Sequence, residues 1–245
     1  MRCFLLAAAL AFGARWGLAG EVRVAVASNF FEVAKVLAAR FEAATGQAVR
    51  LARGSTGKHY AQIRNGAPFD VFLAADAERP RRLEQAGVAR PHSRFSYAIG
   101  KVVLWSPKPG YVDPAGKVLE TGAFRYLAVA NPRLAPYGRA AREILRRRGL
   151  WVRLRDRMVR GENIGQTFQF VKSGNAELGF VAYAQVKRPE KPVEGSLWIP
   201  PQSLYESIEQ QAVLLKDTPA ARAFLAFLAS GEARNIIQGY GYGIP

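Results

Sequence analysis

Short β-rich runs alternate with stretches of helical periodicity along almost the whole chain, and this rhythm constrains the fold more than any other feature of the sequence. Residues 22–27 read as a strand. A helix follows over 31–45, where Val33, Val36, Leu37 and Phe41 recur at three- and four-residue spacing before Gly46. Residues 48–52 give a second strand, Ser55 or Thr56 caps a short helix through Ile63, and 71–75 and 79–86 give a buried strand and another helix. The rhythm then changes: 96–105 reads as one long strand able to leave one unit and enter another. A second series follows, with strands at 127–130 and 178–183 and helices at 139–148 and 167–172. Strand candidates at 196–199 and 212–215 flank Pro200-Pro201, and helices over 219–229 and 232–238 close the chain. Two β/α series joined by extended segments imply an α/β protein of two lobes with two crossings, and the cleft between them is the expected ligand site.

The first nineteen residues stand apart from this pattern. Met1-Arg2 is a short basic start, residues 4–12 are apolar, and Gly17-Leu18-Ala19 ends in small residues, as a secretory signal peptide requires. The apolar run is too short to span a bilayer, and Arg15 interrupts it. The expected organisation is a signal peptide over 1–19, one lobe from 20–99 plus 204–245, and a second lobe over 100–203. Export places the mature protein in a periplasmic or extracytoplasmic compartment. Cys3, the one cysteine of the 245 residues, leaves with the signal, so neither a disulfide nor a thiolate site is available afterwards.

Lys+Arg 35 against Asp+Glu 19 gives a formal charge of +16, which the loss of Arg2 and Arg15 lowers by two. A basic balance is the electrostatic footprint of phosphate binding, so a nucleic-acid partner is the first alternative. The bases are scattered, however, and Arg146-Arg147-Arg148 falls at a helix C-terminus, where cations complement the dipole. No nucleic-acid partner is therefore expected, and the arginine run reads as a solvated helix end.

Catalytic patterns are missing. His59 and His92, the two histidines, have no carboxylate at metal-ligand spacing and read as surface or cap residues. No G-x-S-x-G elbow occurs. Arg53-Gly54-Ser55-Thr56-Gly57-Lys58-His59 lacks both the glycine spacing and the final hydroxyl of a nucleotide P-loop. Asp70 and Asp76 bracket a strand as turn or cap carboxylates. What does recur is a strand-to-helix junction rich in hydroxyl, amide and small residues: at Ser28-Asn29, at Ser55-Thr56, from Asn131 to Gly138, and from Gly161 to Gly165. Four such junctions facing one cleft would hold an anion on N–H dipoles without a counter-charge. On the residues alone, a receptor for some oxyanion, a basic nucleic-acid-binding protein and a secreted two-lobed transferase or hydrolase all stay open.

Ala27-Ser28-Asn29, Gly54-Ser55-Thr56-Gly57, the run from Asn65 to Asp76, Ala130-Asn131-Pro132 with Ala135-Pro136-Tyr137-Gly138, Gly161-Glu162-Asn163-Ile164, Leu178-Gly179-Phe180-Val181 and Tyr240-Gly241-Tyr242 together resemble the periplasmic molybdate-binding proteins of ABC transporters. The likeness spans nearly the whole mature chain in the family's order. It implies a periplasmic binding fold of the second topological type, with each lobe a mixed sheet flanked by helices. It also implies a monomeric receptor that carries molybdate or tungstate to a membrane permease, with no cofactor, no free metal cation and no catalysis; a sulfate or other oxyanion receptor is the alternative.

By motif, the resemblance assigns anion contacts to the hydroxyls of Ser28 and Thr56, with Asn29 and Ser55 beside them, and to the backbone N–H of Ile164. Many members place a ligand-binding Tyr directly after the Gly-x-Val of the late strand, but here that place is Ala182. Tyr183 comes one residue later on the opposite face and is left out of the site. Tyr137 resembles a subgroup in which this Tyr donates to the anion instead.

Overall fold

The computed structural model describes residues 20–245, so the expected signal peptide lies outside the described residues. Two five-stranded sheets form the frame. The first holds β1 (Glu21–Ala27), β2 (Ala48–Gly54), β3 (Val71–Leu73), β4 (Phe95–Gly100) and β10 (Ile208–Leu214) in the order β2-β1-β3-β10-β4. The second holds β5 (Val102–Ser106), β6 (Leu127–Ala130), β7 (Met158–Gly161), β8 (Leu178–Ala182) and β9 (Ser196–Trp198) in the order β7-β6-β8-β5-β9.

The two orders follow one pattern. In each sheet the first three strands are parallel, and the fourth in spatial order runs against its neighbours. That antiparallel strand is the one that arrives from the other sheet, β5 after β4 and β10 after β9. The first crossing is a single residue. Where the sequence reads one strand over 96–105, the structure breaks it at Lys101, whose carbonyl accepts from the Tyr183 N–H at 2.8 Å. Beside that break the C-terminal segment pairs with β4 through Ile99 and Gly243, in two hydrogen bonds of 2.7 and 2.9 Å.

Alternation of side chains across each sheet builds four apolar layers. In the first sheet, Val22, Val24 and Val26 face α1 (Phe31–Thr45), α8 (Pro219–Leu228) and α9 (Gly231–Gly239), while Ala25 and Phe72 face α2 (Thr56–Arg64) and α3 (Glu78–Gln85). Helix α1 buries Val33, Ala34, Leu37, Ala38 and Phe41, the stripe its spacing predicts. In the second sheet Leu104, Val129 and Phe180 pack under α5 (Pro136–Arg147), and Val103, Ala128 and Val181 under α6 (Ile164–Lys172). The short α4 (Val118–Thr121) and α7 (Tyr183–Val186) complete the helices.

Several element ends differ from the sequence reading, each for a local reason. Helix α5 starts at Pro136 instead of 139, because a proline at the first helical position loses no hydrogen bond. Helix α6 starts at Ile164 instead of 167, capped by the Asn163 side chain on the Gln166 N–H at 3.0 Å. Strand β10 begins four residues before the expected 212, and its polar Gln210 is fully buried through hydrogen bonds. Tyr183 opens α7 and does not extend β8. His59 is no surface residue: it is 3% exposed, with Nε2 3.2 Å from the Val26 carbonyl and Nδ1 3.1 Å from Gln62 Oε1. Burial lowers its pKa below the ordinary 6.5.

Candidate functional site

The carboxyl ends of β1, β2 and β3 face those of β6 and β7 across a small cavity of about 10 Å³, room for about one water-sized group. One wall is Ala27, Ser28, Asn29, Ser55, Thr56 and Ala75; the other is Ala135, Pro136, Tyr137 and Ile164. Every residue on the expected anion site is therefore in one place. The space is far below the ~300 Å³ at which drug-sized pockets begin, so it excludes an organic molecule of that size. No charged side chain lines it.

Its donors are created by helix starts. The first N–H groups of a helix have no partner within the helix. Among the described residues, the backbone N–H groups of Asn29, Ser55, Thr56, Tyr137 and Ile164 make no hydrogen bond to another group of the chain. They lie at the beginnings of α1, α2, α5 and α6, whose positive dipole ends meet at the cavity.

The side-chain hydroxyls add a second layer with a consistent polarity. Ser28 Oγ accepts from the Gly165 N–H at 3.2 Å, Ser55 Oγ from the Lys58 N–H at 3.2 Å, and Thr56 Oγ1 from the Ala75 N–H at 3.1 Å. A hydroxyl has one proton to give, and each of these three spends an oxygen lone pair on an internal N–H, which leaves its proton to donate. A cavity with this many spare donors, and no carboxylate on its wall, is built to hold an anion.

Asn29 plays a different part. Its side-chain amide donates to Gln210 Oε1 at 2.8 Å and to the Tyr242 hydroxyl at 3.0 Å, while Tyr242 donates to the Asn29 carbonyl at 3.0 Å. With both amide protons engaged, the backbone N–H is what Asn29 has left for the cavity. Gln210 also accepts from Tyr97 at 3.2 Å and donates to the Tyr137 hydroxyl at 3.3 Å. The Tyr137 hydroxyl thus rests on Gln210 and over Gly100, where any Cβ would collide with it. The hydroxyl oxygen accepts here, so its proton, like those of Ser28, Ser55 and Thr56, is left to donate, and the first-turn N–H of Tyr137 is free as well. Burial, and next the neighbouring Tyr242, push the Tyr137 phenol well above its ordinary range, and burial does the same for Tyr97. All of these phenols stay protonated and neutral.

The cavity draws on residues that the sequence did not single out. Gln185 accepts from the Ala182 N–H at 3.0 Å and donates to the Ile164 carbonyl at 3.2 Å, which ties the start of α6 to the end of β8. Tyr183 does not line the cavity; its ring packs under Gly241. Around the cavity the lobes are held together by contacts other than Ser28–Gly165. The Gly57 N–H donates to the Leu134 carbonyl at 2.9 Å, Arg79 donates to the Arg133 carbonyl at 3.0 Å and pairs with Asp76, and Arg139 reaches Glu78 at 3.2 Å and Asp76 at 3.7 Å.

Two mixed sheets joined by crossings, with a small donor-lined cavity between them, define a two-lobed receptor that closes on a small solute. Comparison with known proteins agrees. The family model described as bacterial extracellular solute-binding protein matches residues 22–243, and the chain belongs to that family. A molybdate-binding protein ModA of Azotobacter vinelandii is 51% identical over 229 residues, covering 92% of this chain and 91% of that protein. One of Rhodobacter capsulatus is 48% identical, covering 91% and 88%. The solved structure of an Azotobacter vinelandii periplasmic molybdate-binding protein superposes with a TM-score of 0.89 at 44% identity, covering 91% of this chain and 99% of that one. The family is one of receptors, so the protein is a transport-associated binding protein and not an enzyme.

Proposed function

We propose that the protein captures molybdate, or the nearly isosteric tungstate, in the cavity between its lobes and delivers it to the membrane permease of an ABC transporter. The observation that carries this reading is the donor set: hydroxyls whose oxygens are already engaged, unpaired N–H groups at four helix starts, and no charged residue on the wall. The ligand contacts are the hydroxyls of Ser28, Ser55, Thr56 and Tyr137 and the backbone N–H groups of Asn29, Ser55, Thr56, Tyr137 and Ile164. Donors without a carboxylate favour a fully deprotonated tetrahedral oxyanion over hydrogen phosphate, whose proton needs an acceptor. The names carried by relatives of about half-identical sequence support the same ligand.

The lobes divide near residues 100 and 203, and export removes residues 1–19, so the mature chain starts near Gly20 or Glu21. Titration calorimetry of the mature protein with molybdate, tungstate, sulfate and phosphate tests the ligand. Tight binding of the first two alone is expected; preference for sulfate, or no heat with any of them, overturns the reading. Mass spectrometry of the protein from its native envelope checks the N-terminus, and an intact Met1 there refutes processing.

A further inference from the structure

Helix α5 connects the anion cavity to an arginine-rich part of the surface. Its N-terminus supplies Tyr137 to the cavity, and twelve residues on, about 18 Å at 1.5 Å each, it ends in the exposed Arg146 and Arg147. The chain then turns through Gly149 and runs on to Arg160. Between Arg139 and Arg160 stand nine arginines and only two acidic residues, Glu143 and Asp156. Arg148 is occupied by Glu120 and stacks on Trp198, whereas Arg146, Arg153 and Arg155 have no close acidic partner beyond a 3.9 Å contact between Arg155 and the fully exposed Asp156. The arginine run thus extends well beyond one solvated helix end.

In the middle of these cations lies Val152, which is 79% exposed and the most exposed large apolar side chain among the described residues. Its neighbour Trp151 is half-buried against the core of the second sheet, which anchors the turn, as do the Trp151 N–H on the Leu145 carbonyl at 3.1 Å and the Arg155 N–H on the Val152 carbonyl at 3.2 Å. The turn therefore holds an aliphatic tip outward with arginines on both sides. A lone exposed valine is common on a protein surface, and the flanking arginines are what set this one apart. A bilayer with anionic headgroups gives both a partner: the cations take the phosphates and the tip enters the interface.

We propose that this pole of the second lobe, Arg146, Arg147, Val152, Arg153 and Arg155, docks the receptor on the anionic phospholipid surface of a membrane. The contact is peripheral, because among the described residues no helix is long and apolar enough to cross a bilayer. It lies at the end of α5 away from the cavity, so a docked receptor keeps its cleft free to load and unload. A docked protein searches for its permease in two dimensions.

The test is flotation of the mature protein with vesicles of phosphatidylcholine alone and with phosphatidylglycerol added, at low and at high salt. Binding is expected only to the anionic vesicles and is lost as salt rises. Neutralising Arg146, Arg147, Arg153 and Arg155 to Gln is expected to weaken it about tenfold or more. Val152→Asp is expected to weaken it several-fold. Neutralising Arg40, Arg64, Arg81 and Arg234, an equal charge change on the first lobe, is expected to leave it within twofold. Oxyanion affinity is unchanged in every variant, which shows that each folds and separates this proposal from the reading of the cavity. Equal loss in both quadruple variants would reduce the effect to net charge, and an unaffected Val152→Asp would remove the tip from the contact. Retention only on vesicles carrying the permease would assign the pole to a protein surface. Each of these results overturns the proposal.

Discussion

Ser28→Ala removes one oxygen that does two things in the closed receptor. Its hydroxyl proton is free for the anion, a charge-assisted bond worth about 1.5–3 kcal/mol. Its oxygen also accepts the Gly165 N–H from the opposite lobe, and an alanine leaves that buried donor unmatched at a cost of about 1–3 kcal/mol. Both losses fall on the closed, loaded state, so affinity for molybdate should drop by at least about 2.5 kcal/mol, or roughly sixtyfold. Thr56→Val makes a useful contrast. The Thr56 oxygen accepts from Ala75 within its own lobe, and that bond exists whether the lobes are open or closed. Its loss therefore lowers the melting temperature of ligand-free protein, and only the anion bond, about ten- to hundredfold, shows in affinity. Calorimetric titration gives the two affinities, and thermal denaturation without ligand gives the two stabilities. The reasoning fails if Ser28→Ala binds within threefold of the parent, or if it destabilises the ligand-free protein as much as Thr56→Val does.

Gly57 approaches the backbone of Leu134 across the cleft, where an added Cβ would lie 3.0 Å from both the Leu134 Cα and its carbonyl oxygen. Gly57→Val should hold the lobes apart and weaken molybdate binding by about tenfold, with the free protein's melting point unchanged; Gly231, whose Cβ position is open, provides the neutral alanine control. Removing Arg139, which joins its lobe to Asp76 and Glu78, should raise the ligand dissociation rate several-fold in stopped-flow measurements and leave association nearly unaltered. Buried His59 titrates below 6.5 in the folded protein, so below that pH the unfolded chain takes up the proton first. Stability of the ligand-free protein should be flat above pH 6.5 and fall from there toward pH 5, with a slope of up to about 1.4 kcal/mol per pH unit, and His59→Gln should flatten that fall in pH-dependent melting curves.

The strand-to-helix junctions were readable because local chemistry dictates them. Hydroxyl, amide and proline residues at the ends of apolar runs mark helix starts, and helix starts leave free N–H groups wherever they occur. The junctions at Ser28-Asn29, at Ser55-Thr56 and at 161–165 follow from that logic and their meeting from the α/β rhythm, whereas the N–H of Ile164 and the roles of the hydroxyls were implied by the family resemblance. The network of Asn29, Tyr97, Tyr137, Gln210 and Tyr242 was not readable, since its members come from distant parts of the chain and only the fold supplies their partners. Glu209-Gln210-Gln211 carries the polarity of a loop, yet Gln210 lies in the middle of a sheet because its hydrogen bonds are all met there. The same absence of long-range information made His59 read as a surface or cap residue.

The placement of β10 between β3 and β4 sets an order of assembly. All strands of the second sheet lie between Val102 and Trp198, so that sheet has everything it needs once this stretch is out of the ribosome or the export channel. The first sheet does not. Until residues 208–214 are delivered, β3 has a bare edge and β4 has no partner in its own sheet, although both were made long before. A chain that emerges N-terminus first must therefore finish its later half before its earlier half can close, with two unpaired strand edges exposed in the interval. A truncation between Trp198 and Ile208 would leave a competent second sheet attached to a permanently open first one, which makes the last forty residues the point at which aggregation or rescue by a chaperone is decided.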